Sequence, residues 1–107
     1  MIIRTELEPS RRIVHLVGRF DAHEAKAFRG VVHPLVTAEA NVLHVDLAQV
    51  AFVDSTALSE LVRLQKAARA VDGEVVLVDL SDPVRVILEI TELAPLFTIE
   101  HTSTEAL

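Results

Sequence analysis

One short stretch of the sequence carries the side chains best suited to chemistry. Asp54, Ser55 and Thr56 follow an apolar run and precede a long amphipathic segment. Their side-chain oxygens favour turns and helix starts, because each can accept a hydrogen bond from a free backbone N–H group. The first turn of a helix also attracts anions. The stretch therefore predicts a loop where the protein is regulated and where it meets a partner.

The other residues that can do chemistry form no catalytic or metal-binding pattern. A serine hydrolase needs its nucleophile in Gly-x-Ser-x-Gly, whereas Ser55 lies in Val-Asp-Ser-Thr-Ala. Three glycines leave no room for a phosphate-binding loop, and no cysteine is present. We therefore predict no enzymatic activity, no cofactor and no metal site. The histidines, which lack ligand spacing, are His15, His23, His33, His44 and His101.

Length and composition predict a single globular domain over residues 1–107. Half of the residues are hydrophobic, which excludes an intrinsically disordered chain. No apolar run approaches the ~20 residues that cross a bilayer, and the N-terminus lacks a signal-peptide pattern. The net charge of −6 repels phosphate backbones and anionic lipids, so we expect no nucleic-acid and no membrane partner. The lack of cysteine fits a cytoplasmic protein.

The strand pattern predicts an α/β fold. Alternating or continuously apolar residues predict strands at 2–7, 13–17, 42–47, 75–78 and near residue 99. The turn at residues 8–11 predicts that the first two strands form an antiparallel hairpin. Helices between the later strands predict parallel pairing. We therefore expect a mixed, mostly parallel sheet with an antiparallel N-terminal edge hairpin, packed against helices.

Three helices are predicted from apolar residues at i, i+3 and i+4 spacing. The first begins after Asp21, which with Glu24 has nearly the form of a capping box, and is kinked or ended near residue 33 by Pro34. The second spans 57–71, with Glu60 on its exposed side, and is ended by Asp72 and Gly73, of which Gly73 suits left-handed φ. The third begins at Asp82 as cap and Pro83 as first helical residue. A final turn is predicted at 103–107. The apolar stripe of the first helix comprises Ala25, Phe28, Val31, Val32, Leu35 and Val36.

Four segments of the sequence resemble one known family. Residues 46–58, Asp-Leu-Ala-Gln-Val-Ala-Phe-Val-Asp-Ser-Thr-Ala-Leu, resemble the signature of bacterial anti-sigma factor antagonists, small proteins of the STAS domain class. Residues 16–21, Leu-Val-Gly-Arg-Phe-Asp, are similar to an earlier step of the same pattern. Residues 73–77 and 86–93 resemble the glycine before its buried strand and its last long helix. The resemblance extends, in order, over nearly the whole chain.

The resemblance implies a partner switch. In the family, the unmodified protein binds an anti-sigma factor that is also a serine kinase, and this releases the sigma factor. The kinase phosphorylates the serine after the motif aspartate, which ends the interaction, and a serine phosphatase restores it. In this sequence that serine is Ser55, with Thr56 as the alternative acceptor. The residues expected to meet the partner are Asp21, His23, Asp54, Ser55, Thr56, Ala57 and Ser59.

Two positions depart from the family pattern. Ala57 and Glu92 stand where the family usually has glycine. Ala57 is expected to add a Cβ at the surface that a kinase approaches closely, which leaves a second function open. In that alternative the chain is a STAS-type interaction domain of a transport or stress-signalling complex, and Ser55 is a turn residue without a phosphorylation switch.

A phosphoacceptor receiver domain is the third hypothesis, since it has similar length and βα order. Asp46 is the candidate acceptor. That chemistry needs an acidic cluster for Mg²⁺ and a nearby lysine, whereas Lys26 and Lys66 both fall on predicted helices. The sequence therefore favours the first two hypotheses over this one.

Overall fold

The element order agrees with the sequence prediction. The structure is a computed structural model that describes residues 1–9 and 11–102, so the turn predicted at 103–107 lies outside the described residues. Within that part of the chain, short 3₁₀ helices follow the first and third α-helices, at His33–Leu35 and Ala94–Leu96. The main elements are β1 Ile2–Leu7, β2 Arg12–Phe20, α1 Ala22–Val32, β3 Val42–Val53, α2 Ser55–Arg69, β4 Glu74–Val78, α3 Asp82–Thr91 and β5 Thr98–Glu100.

The strands form one mixed sheet in the order β1-β2-β3-β4-β5. β1 pairs antiparallel with β2, and each later pair is parallel. The predicted hairpin and the mostly parallel sheet are therefore confirmed. Because the spatial order follows the chain order, right-handed crossovers place α1, α2 and α3 on one face of the sheet. This topology differs from the 2-1-3-4-5 order of receiver-like doubly wound folds, which argues against the third hypothesis.

The core lies between the helices and one face of the sheet. Alternate residues of β2 and β3 point into it, and Phe20 meets Phe28 of α1 at a ring-centroid distance of 4.7 Å. β4 is buried on both faces, which agrees with its continuous apolar run. The largest fully buried side chains are Phe20, Phe28, Leu16, Leu43, Leu47, Leu61, Leu64, Leu77 and Leu88.

Strand β3 is twice as long as predicted. Its expected end at residue 47 is wrong, because the strand continues to Val53. The alternation of buried and exposed residues is lost at Ala48 and Gln49, where the register with β2 shifts between His15 and Val17. A second shift follows before Phe52. Extra residues of this kind are β-bulges, which hide a strand from a period-two pattern.

Two side chains lie on the opposite side of their helix from the predicted one. Val31 was assigned to the buried stripe of α1, but it is 47% exposed. Glu60 was assigned to the exposed side of α2, but it is 2% exposed. Pro34 ends α1 as predicted, since the chain continues only as one 3₁₀ turn after Val32.

The residues that end α2 and begin α3 differ from those predicted. Gly73 was expected to adopt left-handed φ, but Asp72 does so, at φ 61°. Gly73 is needed for space instead, because a Cβ there would lie 1.8 Å from the carbonyl oxygen of Asn41. Ser81, and not Asp82, is the N-cap residue of α3, since Asp82 already belongs to the helix.

Candidate functional site

The candidate site is the loop between β3 and α2, and Asp54 holds it together. One carboxylate oxygen of Asp54 accepts a hydrogen bond from the Ala57 N–H at 2.9 Å, which caps α2. The other oxygen accepts from the Ala22 N–H at 3.0 Å, in the first turn of α1. A single carboxylate thus binds the N-termini of two helices, where negative charge is stabilised by both helix dipoles.

Ser55 and Thr56 are the first two residues of α2, and both are exposed. The first backbone N–H groups of a helix have no partner within it. Asp54 accepts from the N–H of Ala57, so those of Ser55 and Thr56 remain at the open end of the helix. Ser59 lies one turn further on, and its hydroxyl donates to the Ser55 carbonyl at 3.0 Å. The site therefore presents hydroxyl groups to solvent on a rigid helix start.

The expected position of the Ala57 side chain is wrong. Its methyl group is fully buried, with 0% exposure, beneath the loop and among core residues. The cause is the helical spacing, which puts Ala57 on the same face of α2 as Leu61, Leu64 and Ala68. The methyl group therefore adds to packing and leaves the surface around Ser55 unchanged.

Asp21 forms the β2–α1 connection, and His23 lies in the first turn of α1. Asp21 caps α1 by accepting from the His23 N–H at 3.1 Å, and the Asp54–Ala22 hydrogen bond joins this connection to the Ser55 loop. His23 is exposed and Asp21 partly exposed. The structure therefore brings these two predicted residues to the same edge of the molecule as Ser55, and their contact with a partner stays a prediction.

Two exposed residues beside Asp21 were missed by the sequence analysis. The guanidinium of Arg19 lies 4.1 Å from the centre of the Phe52 ring and 3.7 Å from the Asp21 carboxylate. Phe52 is 37% exposed, and its face is covered by this cation–π contact. Because Phe52 follows a β-bulge, its exposure was not readable from the alternation of β3.

Glu60 fastens α1 to α2 directly behind the site. Its carboxylate accepts from the Arg29 guanidinium and lies 3.6 Å from Nε2 of His33. The hydrogen bond from Arg29 lowers the pKa of Glu60, and burial lowers the pKa of His33. Glu60 lies three residues after Ala57 and four before Leu64, so it shares their buried face of α2. This spacing could have predicted its burial from the sequence.

Asp46, the candidate phosphoacceptor of a receiver domain, lies on the face of the sheet that is opposite to the helices. Its carboxylate oxygens bond to Nδ1 of His15 at 2.7 Å and to the Ala48 N–H at 3.0 Å. Nε2 of His15 bonds in turn to Glu6. The hydrogen bond to Asp46, followed by the one to Glu6, raises the pKa of His15. Asp46 therefore bonds to residues of the sheet and lies outside the loop of Ser55.

Residues 1–9 and 11–102 contain neither a clustered set of metal ligands nor a membrane-spanning helix. No group of three histidine or acidic side chains in this part of the chain is arranged to hold a metal ion. No described helix has the length and apolar character that crossing a membrane requires.

Comparisons with known proteins identify relatives and a family. The model of the STAS domain family matches residues 3–106. The anti-sigma-B factor antagonist of Listeria monocytogenes is 32% identical over 92 residues, which cover 86% of this chain and 81% of that protein.

Two solved structures of SpoIIAA share the fold. The anti-sigma factor antagonist SpoIIAA in its unphosphorylated form has a TM-score of 0.81 at 20% identity, with 98% of this chain and 92% of that chain covered. The Bacillus cell fate determinant SpoIIAA in the phosphorylated form has a TM-score of 0.75 at 19% identity, with 98% and 96% covered. With the family model matching almost from end to end, this chain belongs to the STAS domain family.

Proposed function

We propose that this chain is an anti-sigma factor antagonist. In its unmodified state it binds an anti-sigma factor that is also a serine kinase, and binding releases the sigma factor. Phosphorylation of Ser55 ends the interaction, and a serine phosphatase restores it. The chain itself catalyses nothing, and it acts in the cytoplasm, where its partners are.

One observation carries this proposal: Ser55 is an exposed hydroxyl at an open helix start, directly after a capping aspartate. The name of the Listeria relative, anti-sigma-B factor antagonist, supports the partner class. A phosphorylated form of SpoIIAA, which shares the fold, supports phosphorylation as the switch. The surface proposed to meet the kinase comprises Asp21, His23, Asp54, Ser55, Thr56 and Ser59.

The electrostatics of the loop fit a switch that leaves the fold intact. A phosphoserine carries about −1.5 to −2 charge at neutral pH. On Ser55 this charge would lie at the N-terminus of α2, where the dipole favours an anion. Across a protein interface the same charge would be desolvated, and it would lie beside the carboxylate of Asp54. Since about 1.4 kcal/mol is tenfold in affinity, a penalty of a few kcal/mol weakens binding about a hundredfold or more.

Phosphorylation of matched variants by the purified kinase-type anti-sigma factor of the same cell tests the proposal. We expect ATP to label the wild-type chain and Thr56→Ala once each, at Ser55, and to leave Ser55→Ala unlabelled, as read by mass spectrometry of peptides. An unlabelled wild type, or label on Thr56 alone, would refute the assignment. An unlabelled wild type would favour the interaction domain without a switch, whereas label on Thr56 alone would move the switch to Thr56.

A further inference from the structure

A shallow groove runs along the outer side of α2, starting at Ser55. Its upper part lies between α2 and the end of α3, and its lower part between α2 and the 3₁₀ helix Ala94–Leu96. Val62 and Lys66 line both parts, so the two are continuous. The groove therefore extends the candidate site over most of the length of α2.

The charge of the groove is opposite to that of the whole chain. The chain has a net charge of −6, yet Arg63, Lys66 and Arg69 line the groove and, among the residues that the structure describes, no acidic side chain does so. All three are exposed. Within residues 1–9 and 11–102, none of the three forms an ion pair, whereas Arg19, Arg29 and Arg85 each do. The groove is therefore a local region of positive potential.

The floor and wall of the groove are apolar and held in place. Val62 packs against the core, and Leu96 is 45% exposed at the rim. The buried Gln65 fixes the wall, because its amide donates to the Leu96 carbonyl and accepts from the Val75 N–H at 2.7 Å. A groove that is already formed requires little ordering when a ligand binds.

We propose that this groove binds an acidic amphipathic segment of the partner that meets Ser55, an inference that rests on the proposed function. Apolar side chains of the segment contact Val62 and Leu96, and its carboxylates face Arg63, Lys66 and Arg69. Complementary charge of this kind selects the partner and speeds its encounter.

Because Ser55 lies at one end of the groove, its phosphorylation would affect binding in the groove. Ser55 lines the same upper part as Arg63 and Lys66. A phosphate on Ser55 lowers the positive potential over roughly one Debye length, about 8–10 Å, and so weakens binding of an acidic segment. The groove thereby couples phosphorylation to affinity even where the partner does not touch the phosphate.

A titration with a defined peptide tests the groove without the kinase. The probe is a capped peptide of about 14 residues, roughly four helical turns, with leucines on one face and glutamates beside them. The control peptide has lysine at each glutamate position. Using ¹⁵N-labelled protein, we expect the acidic peptide alone to shift the amide signals of Val62, Arg63, Lys66 and Leu96.

Charge-reversal variants complete the test. We expect Arg63→Glu with Lys66→Glu to weaken peptide binding by about tenfold or more, and Ser55→Glu to weaken it several-fold. Arg11→Glu, a charge reversal in the turn between β1 and β2, should leave it unchanged, and circular dichroism checks that each variant is folded. Shifts outside the groove, or equal binding of the lysine peptide, would overturn the inference. Either result leaves the kinase assay on Ser55 standing, so the two failures are distinguishable.

Discussion

At the residue scale, Asp54 does two tasks that the sequence shows only in part. A cap for α2 was readable from Asp-Ser-Thr before an apolar run, since capping is local. The bond to the Ala22 N–H joins residues 32 positions apart, and no local pattern encodes it. The buried charge of Glu60 is similar, because its partner Arg29 lies 31 positions away.

Replacing Asp54 should therefore cost more than removing one cap. Asp54→Ala removes the acceptor at both helix starts, and we expect a loss of about 1–3 kcal/mol in the free energy of unfolding. The exposed Ser55→Ala, one position on, should change it by less than about 0.5 kcal/mol. Urea unfolding of both variants measures this, and equal stabilities would contradict the double cap.

Glu92 occupies a position that suits glycine. It ends α3 with φ 59°, and the Leu93 N–H bonds back to the Leu88 carbonyl at 3.1 Å. This is a Schellman motif, in which a residue with a Cβ is strained. We expect Glu92→Gly to raise the free energy of unfolding by about 0.5–1 kcal/mol.

The helical Glu89 provides the control for that substitution. Glu89→Gly should lower the stability by about 1 kcal/mol, because glycine is unfavourable inside a helix. Denaturant unfolding of the two variants should thus give changes of opposite sign. A loss of stability in both would show that Glu92 is not strained.

At the element scale, strand and helix types followed from the sequence, whereas their limits depended on pairing. The predicted end of β3 failed because bulges against β2 are a property of two strands together. Gly73 was expected to end α2 through its backbone, but its neighbour Asn41 is what excludes a side chain there. In both cases the deciding contact comes from a distant part of the chain.

His15 fastens the edge strand β1 to β3 across β2. Its side chain bonds to Glu6 of β1 and Asp46 of β3, and Arg4 lies opposite it on β1. The protonated ring is stabilised by the two carboxylates, so its pKa in the folded state lies above the ordinary 6.5. This contribution to stability is complete below that value and is lost as the pH rises through the folded-state pKa.

The substitution His15→Gln should therefore be pH-dependent in its effect. We expect it to lower the thermal midpoint more at about pH 6 than at about pH 9. His23→Gln, at an exposed position on α1, serves as the control for a general effect of losing histidine. A loss that is the same at both pH values would contradict a charged His15.

At the scale of the whole molecule, the candidate site and the basic groove form one continuous part of the surface. The loops that carry Asp21 and Ser55 are joined at one edge through Asp54, and the basic groove continues from them along α2. The strands, the antiparallel edge hairpin and the parallel pairing of the later strands were predictable from periodicity and from the helices that connect them. The groove was not, because it depends on how α2, α3 and the last 3₁₀ helix meet.

The affinity of the kinase-type anti-sigma factor for the unmodified and the phosphorylated chain is the decisive measurement for the proposed switch. Isothermal titration calorimetry would compare the unmodified protein with protein phosphorylated at Ser55, after matching thermal midpoints show that both are folded. We expect binding that is at least about a hundredfold weaker after phosphorylation, because the interfacial charge costs a few kcal/mol. Equal affinities in the two states would contradict the switch.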